Sequence, residues 1–205
     1  MFISLEGIDY SGKTTQANLL VDRLKELGKD VVLIREPGGT AVSEKIREIL
    51  LDRKHLEISQ RAELLLFSAA RTQVVSEVIQ PALQKGRIVI CDRFVDSTTA
   101  YQGYGRGLDL SEVKTINRIA TFGITPDLSF LVDVEVQEIS RRQQLAGLTS
   151  DRMELGGNDF YSKVRNGYLA IAKEEPRRFV VINGMQSSDE IHKEIYNIVQ
   201  QRLLM

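Results

Sequence analysis

The sequence predicts an α/β protein of three layers, α/β/α, on a five-stranded parallel sheet. Two observations carry the prediction. Short apolar runs at 2–5, 31–34, 87–91, 128–132 and 179–182 alternate with longer stretches of helical pattern, so strands and helices take turns along the chain. Runs such as VVLI and FVVI are also apolar throughout and do not alternate with polar residues. That is the pattern of strands buried on both faces, as in a parallel sheet covered by helices.

The elements come in order along the chain. The strand at 2–5 runs into a glycine-rich turn and then a helix over 13–27, stopped by Gly28. After the strand at 31–34, the loop EPGGT at 36–40 breaks the pattern with Pro37 and paired glycines, and 41–51 reads as helix. A long helix is predicted over 59–84, with Ser59 as its N-cap and Gly86 ending it before the third strand. Residues 94–122 read as mostly helical, interrupted by a glycine-rich loop at 103–107. Pro126 precedes the fourth strand, helices come next at 136–146 and 158–174, and the fifth strand leads to a closing helix over 188–203. With no internal repeat, low-complexity segment or linker, residues 1–205 read as one domain. The polar, glycine-rich stretch AGLTSDRMELGG at 146–157 is the segment expected to move, within a lid of about 141–157.

Composition narrows the function. A chain of 205 residues buries roughly 70% of its unfolded surface and needs no disulfide or metal staple. Lys and Arg total 27 against 28 acids, which argues against broad electrostatic binding to nucleic acid or to an anionic membrane surface. Cys91 is the sole cysteine, so neither a disulfide framework nor a multi-cysteine zinc site is available. No apolar run approaches the roughly 20 residues of a membrane span. The first residues carry Glu6 and Asp9 and no basic n-region, unlike a signal peptide, so a reducing cytoplasm is the expected compartment.

The first turn carries the clearest chemistry. Residues Gly7, Ile8, Asp9, Tyr10, Ser11, Gly12, Lys13 and Thr14 fit G-x-x-x-x-G-K-S/T between a buried strand and an amphipathic helix, with Thr15 next. Glycines let such a loop curl its N–H groups around a phosphate, and the helix N-terminus points its dipole at the same anion. Lys13 then reaches the β- and γ-phosphates of a nucleoside triphosphate, and Thr14 presents a hydroxyl to Mg²⁺. No N-K-x-D motif for reading guanine is present, which favours a small-molecule or nucleotide kinase over a switch GTPase. The third strand ends in Asp92 and Arg93, at the edge where open parallel sheets bind ligands. Asp92 suits the second carboxylate of an Mg²⁺ site, and Arg93 can fork onto a phosphate.

The residues around and after Arg93 are more specific. The run ICDRFVDSTTAYQGYGRG at 90–107 resembles the signature of bacterial thymidylate kinases. So do EGIDYSGKTT at 6–15, REPGGT at 35–40, LLLFSAART at 64–72 and DRMELGGNDFYSKVRNGY at 151–168, in family order and spacing. The resemblance implies ATP-dependent phosphorylation of dTMP to dTDP with Mg²⁺, on a P-loop nucleotide-kinase fold, as a homodimer acting on small molecules. Residue by residue, it implies that Asp9 lies near the acceptor's 3′-hydroxyl and phosphate and that Arg93 clamps the acceptor phosphate. Phe67 would stack on thymine, Arg71 would bond a base carbonyl, and Thr98 and Gln102 would make polar contacts to the base. Tyr101 would pack on the deoxyribose and disfavour a 2′-hydroxyl. Glu36 and Arg47 are weaker candidates for the acceptor site, and Asn183 to Gln186 mark the expected adenine pocket.

The physics of the proposed reaction fits. A phosphate monoester with a second pKa near 6 is largely dianionic at pH 7 and needs little deprotonation, so a general base is not required. His55 and His192 stand alone and read as structural. Two polyanions must instead be neutralised and aligned, by Lys13, Arg93, Mg²⁺ and arginines of a closing lid. Where some family members carry a basic residue in the P-loop this chain has Tyr10 and Ser11, which points to lid arginines, in the order Arg142, Arg152, Arg141. The absence of any basic residue between Arg142 and Arg152 departs from the family pattern. Two rivals remain open: another nucleotide or deoxynucleoside kinase, and a nucleotide-binding module without turnover.

Overall fold

The computed structural model describes residues 1–146 and 151–204. Five strands, β1 (Phe2–Glu6), β2 (Val31–Arg35), β3 (Ile88–Asp92), β4 (Leu128–Asp133) and β5 (Phe179–Asn183), form one sheet in the order β2-β3-β1-β4-β5. Every pairing is parallel, with Leu5 opposite Asp92, Glu6 opposite Leu131 and Arg35 opposite Asp92. The α-helices are α1 (Lys13–Glu26), α2 (Ala41–Leu51), α3 (Gln60–Val74), α4 (Gln80–Gln84), α5 (Val95–Thr98), α6 (Leu110–Ala120), α7 (Gln137–Ala146), α8 (Gly157–Glu174) and α9 (Ser188–Leu203).

Alternation along the strands builds the layers. Ile3, Leu5, Ile88 and Ile90 face α1 and α9, where Leu20, Leu24, Ile195 and Val199 close one core. Phe2, Val89 and Cys91 face the opposite side, against Val74, Ile79 and Phe94. A second core on that side joins Tyr101, Leu131 and Val134 to Phe160, Val164 and Tyr168 of α8. The connection leaving β1 runs to β2 on one flank, and the one leaving β3 crosses to β4 on the other. A crevice therefore opens at the carboxyl ends of β1 and β3, where a doubly wound sheet receives its ligand.

The sequence-based boundaries shift in an informative way. All five strands reach one residue further than the apolar runs, ending on Glu6, Arg35, Asp92, Asp133 and Asn183. A polar residue at the carboxyl end breaks the hydrophobic pattern but not the ladder. The helix expected at 59–84 contains a π-wound turn, Val75–Ile79, before Pro81 opens α4. Proline has no N–H to return, so the wider turn lets the chain restart where none is needed. The expected loop at 103–107 is instead largely a second π-wound turn, Thr99–Gly105. Gly103 and Gly105 are there for close approach: a Cβ would come within 2.7 Å of Leu110 and of Phe160, respectively. Of the expected lid, 141–146 is the end of α7 and Met153–Gly156 forms a 3₁₀ turn, while 147–150 lies outside the described residues.

Candidate active site

The turn after β1 is shaped by glycine. Gly7 has φ 145°, and a Cβ there would meet the Ser11 hydroxyl at 2.7 Å and the Val132 carbonyl at 2.8 Å. Gly12, with φ 97°, is the N-cap of α1, whose first turn holds no acid to offset its positive end. Lys13 is buried and donates to the Ile8 carbonyl at 3.4 Å, while the Ile8 side chain packs in the core. Burial, and then the nearby Arg93 charge, pull the Lys13 pKa below its ordinary value. The Thr14 hydroxyl donates to Oδ2 of Asp92, and the buried Oδ1 of Asp92 has no described hydrogen-bond partner.

Arg93 is the hub of the site. It sits in the left-handed region, φ 72°, immediately after β3. Its guanidinium forms an ion pair with Asp9 at 2.6 Å, donates to the Gly7 carbonyl at 2.8 Å and reaches the hydroxyls of Tyr101 at 3.1 Å and Tyr168 at 3.2 Å. Asp9 also accepts from Tyr101 at 3.0 Å and from Tyr161 at 2.9 Å. Burial works against the Asp9 charge, but Arg93, Lys13 and the two hydroxyls outweigh it and hold its pKa below the ordinary value. The result is a fixed cation beside the phosphate loop, oriented before any ligand arrives.

A cleft of about 210 Å³ runs from Lys13, Thr14 and Asp92 past Asp9 and Arg93 to Phe67, Arg71, Thr98, Tyr101 and Gln102, with Glu36 and Arg47 on its wall. Phe67 and Arg71 are one turn apart on α3 and share a face. Arg71 is 2% exposed and heavily tied: Nε to Glu36 at 2.6 Å, the end nitrogens to Thr98 at 2.7 Å, Asn117 at 3.3 Å and the Phe94 carbonyl at 3.1 Å. Burial raises the Glu36 carboxyl above its usual pKa, against the pull of Arg71. Arg47 donates to the Pro37 carbonyl at 2.8 Å.

The lid arginines are not at this cleft. Arg142 donates to the carbonyls of Tyr10 at 3.2 Å, Ser11 at 3.1 Å and Gly184 at 2.9 Å, tying the phosphate loop to the loop after β5. Arg152, second after Arg142 in the expected order for meeting the transferred phosphoryl, is buried against Glu63 at 2.7 Å and the Leu50 carbonyl at 2.6 Å. A buried carboxylate demands a partner, and Glu63 claims it. Arg141 lies exposed on Glu138 at 2.6 Å. His55 pairs with Glu57, His192 stacks on Tyr196, and Cys91 is buried, so none of these lines the cleft.

The sequence model of the thymidylate kinase family matches residues 5–195. The chain belongs to the thymidylate kinase family. It is 50% identical over 202 residues to a thymidylate kinase of Caldanaerobacter subterraneus subsp. tengcongensis, covering 98% of this chain and 96% of that one. It is 48% identical over 210 residues to one of Chlorobium luteolum, with 98% of each covered. Its fold is similar to the crystal structure of thymidylate kinase from Ehrlichia chaffeensis, with a TM-score of 0.79, 39% identity and 98% of both chains covered.

Within the motifs that led to the thymidylate kinase family stand site residues to which sequence reasoning gave no role. Tyr161 and Tyr168 are seven apart on α8, a spacing that puts both on one face, and that face meets Asp9 and Arg93. With aromatics at only 6% of the chain, that pair was a readable signal. Arg35, Ser97, Asp151 and Met153 also line the cleft. Glu6 opens the run EGIDYSGKTT but lies just past the apolar strand at 2–5, and Glu63 sits beside three leucines on a predicted helix, so neither was given a role.

Proposed function

We propose that the chain transfers the γ-phosphate of ATP to dTMP, giving dTDP and ADP, by in-line transfer with little acid–base chemistry. The observation that carries this is Arg93, held rigidly between the phosphate loop and the cleft that contains Phe67 and Arg71. A fixed fork there suits an acceptor phosphate whose base reaches the stacking ring in the same cleft. Gly7 to Thr15 would cradle the ATP phosphates, with Lys13 on the β- and γ-oxygens. Arg93 would hold the dTMP phosphate in line with them, and Asp9 would orient Arg93 and the sugar end. Phe67 would stack on thymine while Arg71, Thr98 and Gln102 address its polar edge, and Tyr101 would pack on the deoxyribose. Arg142, which already contacts Tyr10 and Ser11, would act on the donor side by supporting the loop.

Thr14 and Asp92 fit Mg²⁺, given the unpartnered buried oxygen of Asp92 next to the Thr14 hydroxyl. Among the described residues no group of three His, Cys, Asp or Glu gathers to hold a metal. That suits a hard cation held largely through substrate phosphates. When bound, Mg²⁺ would neutralise charge across the β- and γ-phosphates. We also take residues 1–205 to act as one domain and the chain to pair as a homodimer. Leu65 on α3 and Ile119 on α6 are among the exposed apolar side chains that such a pairing would have to cover. No described helix is long and apolar enough to cross a membrane.

The test is ADP release with Mg²⁺-ATP and a panel of dTMP, dUMP, UMP, CMP, GMP, AMP and thymidine. Turnover with dTMP far above the rest is expected. ATP binding without turnover on any acceptor would overturn the reading.

A further inference from the structure

Glu63 lies behind the cleft, one turn before Phe67 and two before Arg71 on the same face of α3. It is 1% exposed and carries three partners. Its Oε1 accepts from the Gln102 side-chain NH₂ at 2.9 Å and from Arg106 Nε at 3.1 Å. Its Oε2 accepts from Arg106 at 3.2 Å and from Arg152 at 2.7 Å. Burial works to raise its pKa, but the Arg106, Gln102 and Arg152 donors outweigh that and hold the carboxyl below the ordinary glutamate value. Ionised, it can only accept hydrogen bonds.

That decides which way the Gln102 amide faces. A carboxylate flanked by two arginines admits the NH₂ group of Gln102 and repels its oxygen. The amide oxygen is thereby turned away from Glu63, on a side chain that lines the cleft. We propose that Glu63 is a positioning residue for base selection: it locks Gln102 with its carbonyl oxygen toward the acceptor base. This rests on the assignment of Gln102 to the base. An acceptor at that point suits the N3–H of thymine and opposes N3 of cytosine, which is itself an acceptor. A site that orients a buried polar group in this way discriminates far more sharply than a pocket that only stacks.

Glu63→Gln tests the idea. Neither arginine can accept a hydrogen bond, so together they claim the one remaining oxygen, and the new NH₂ group then faces Gln102. The Gln102 amide is driven to reverse and turn its own NH₂ to the cleft. The expected result is a dTMP KM raised about tenfold, and a dTMP-over-dCMP preference, read by competition, lowered about tenfold. The kcat at saturating dTMP and the KM for ATP should stay within about twofold, because the phosphate end is untouched. Glu63→Asp keeps a charge that the long arginine side chains can follow and draws it back from Gln102 by one methylene. It should lower the preference too, which covers the case in which Glu63→Gln fails to fold. Arg106→Gln removes one of the ion pairs and leaves the Gln102 contact, so it should keep the preference. Gln102→Ala should abolish it. A preference unchanged in folded Glu63→Gln and Glu63→Asp, or lowered as much in Arg106→Gln, overturns the proposal. A preference unchanged in Gln102→Ala overturns both the proposal and the base assignment beneath it.

Discussion

Arg93 and Glu6 show how single side chains carry the site's charge. Removing the fork in Arg93→Ala strips the acceptor phosphate of its fixed cation and leaves Lys13 and two tyrosine hydroxyls alone to offset the Asp9 charge. The expected loss in kcat/KM for dTMP is about 10²–10³-fold, the range for deleting one preorganised donor. Arg93→Lys should recover only part of it, since the charge returns without the planar fork. A loss under about threefold in Arg93→Ala would remove Arg93 from the mechanism. Glu6, fully buried, accepts from the Phe94 N–H at 2.8 Å and the Ser97 hydroxyl at 2.6 Å. Burial first, and then the Asp96 charge, push its pKa up to about 7 from an ordinary 4.5. Between those values the folded chain holds a proton that the unfolded chain has released, so the contribution is full below about pH 4.5 and is lost as pH rises through about 7. Glu6→Gln cannot titrate, so its melting temperature should gain on the parent's across that window. A pH-independent difference between the two curves would refute this.

At the scale of elements, α8 packs closely on the π-wound turn Thr99–Gly105, and the contact works through small residues. A Cβ at Gly167 would come within 2.7 Å of the Tyr104 ring. Helix propensity alone would favour Gly167→Ala by up to about 1 kcal/mol, whereas overpacking costs about 1–3 kcal/mol, so packing should win. The melting temperature should fall by about 2–8 °C, and a rise would mean that Tyr104 moves aside freely. The strands and most helices were legible because buried strands and amphipathic helices leave periodic patterns. The π-wound turns were not: in Thr99–Gly105 the glycines serve close approach and read as loop breakers, and Val75–Ile79 carries an ordinary helical sequence. The arginines of the expected lid mislead for a similar reason. Arg152 looks like a free cation until the fold brings Glu63, 89 positions earlier, to within 2.7 Å.

For the molecule as a whole, the cleft lies at the carboxyl end of the sheet and is assembled from the phosphate loop, α1, α2, α3, the end of β3 and the π-wound turn Thr99–Gly105. A ligand that bridges these elements binds only the folded state. At a dTMP concentration of 100 times its Kd the gain is about 2.7 kcal/mol, which should raise the melting temperature by about 5–10 °C. Thymidine lacks the phosphate that Arg93 is set to hold, and at equal concentration it should raise it far less. Equal shifts for the two would place the phosphate elsewhere than at Arg93.

The layered parallel sheet, the phosphate loop and the family are all legible in the amino-acid order alone. Each rests on local order: apolar runs, glycines at fixed offsets, and Lys13 and Thr14 at the start of a helix. Which charges face one another was settled by the fold. Arg93 meets Asp9 across 84 positions, Arg142 meets the phosphate loop across more than 130, and Glu63 draws together Gln102, Arg106 and Arg152. A buried charge takes its partner from whatever the fold places beside it, and no spacing along the chain encodes that choice.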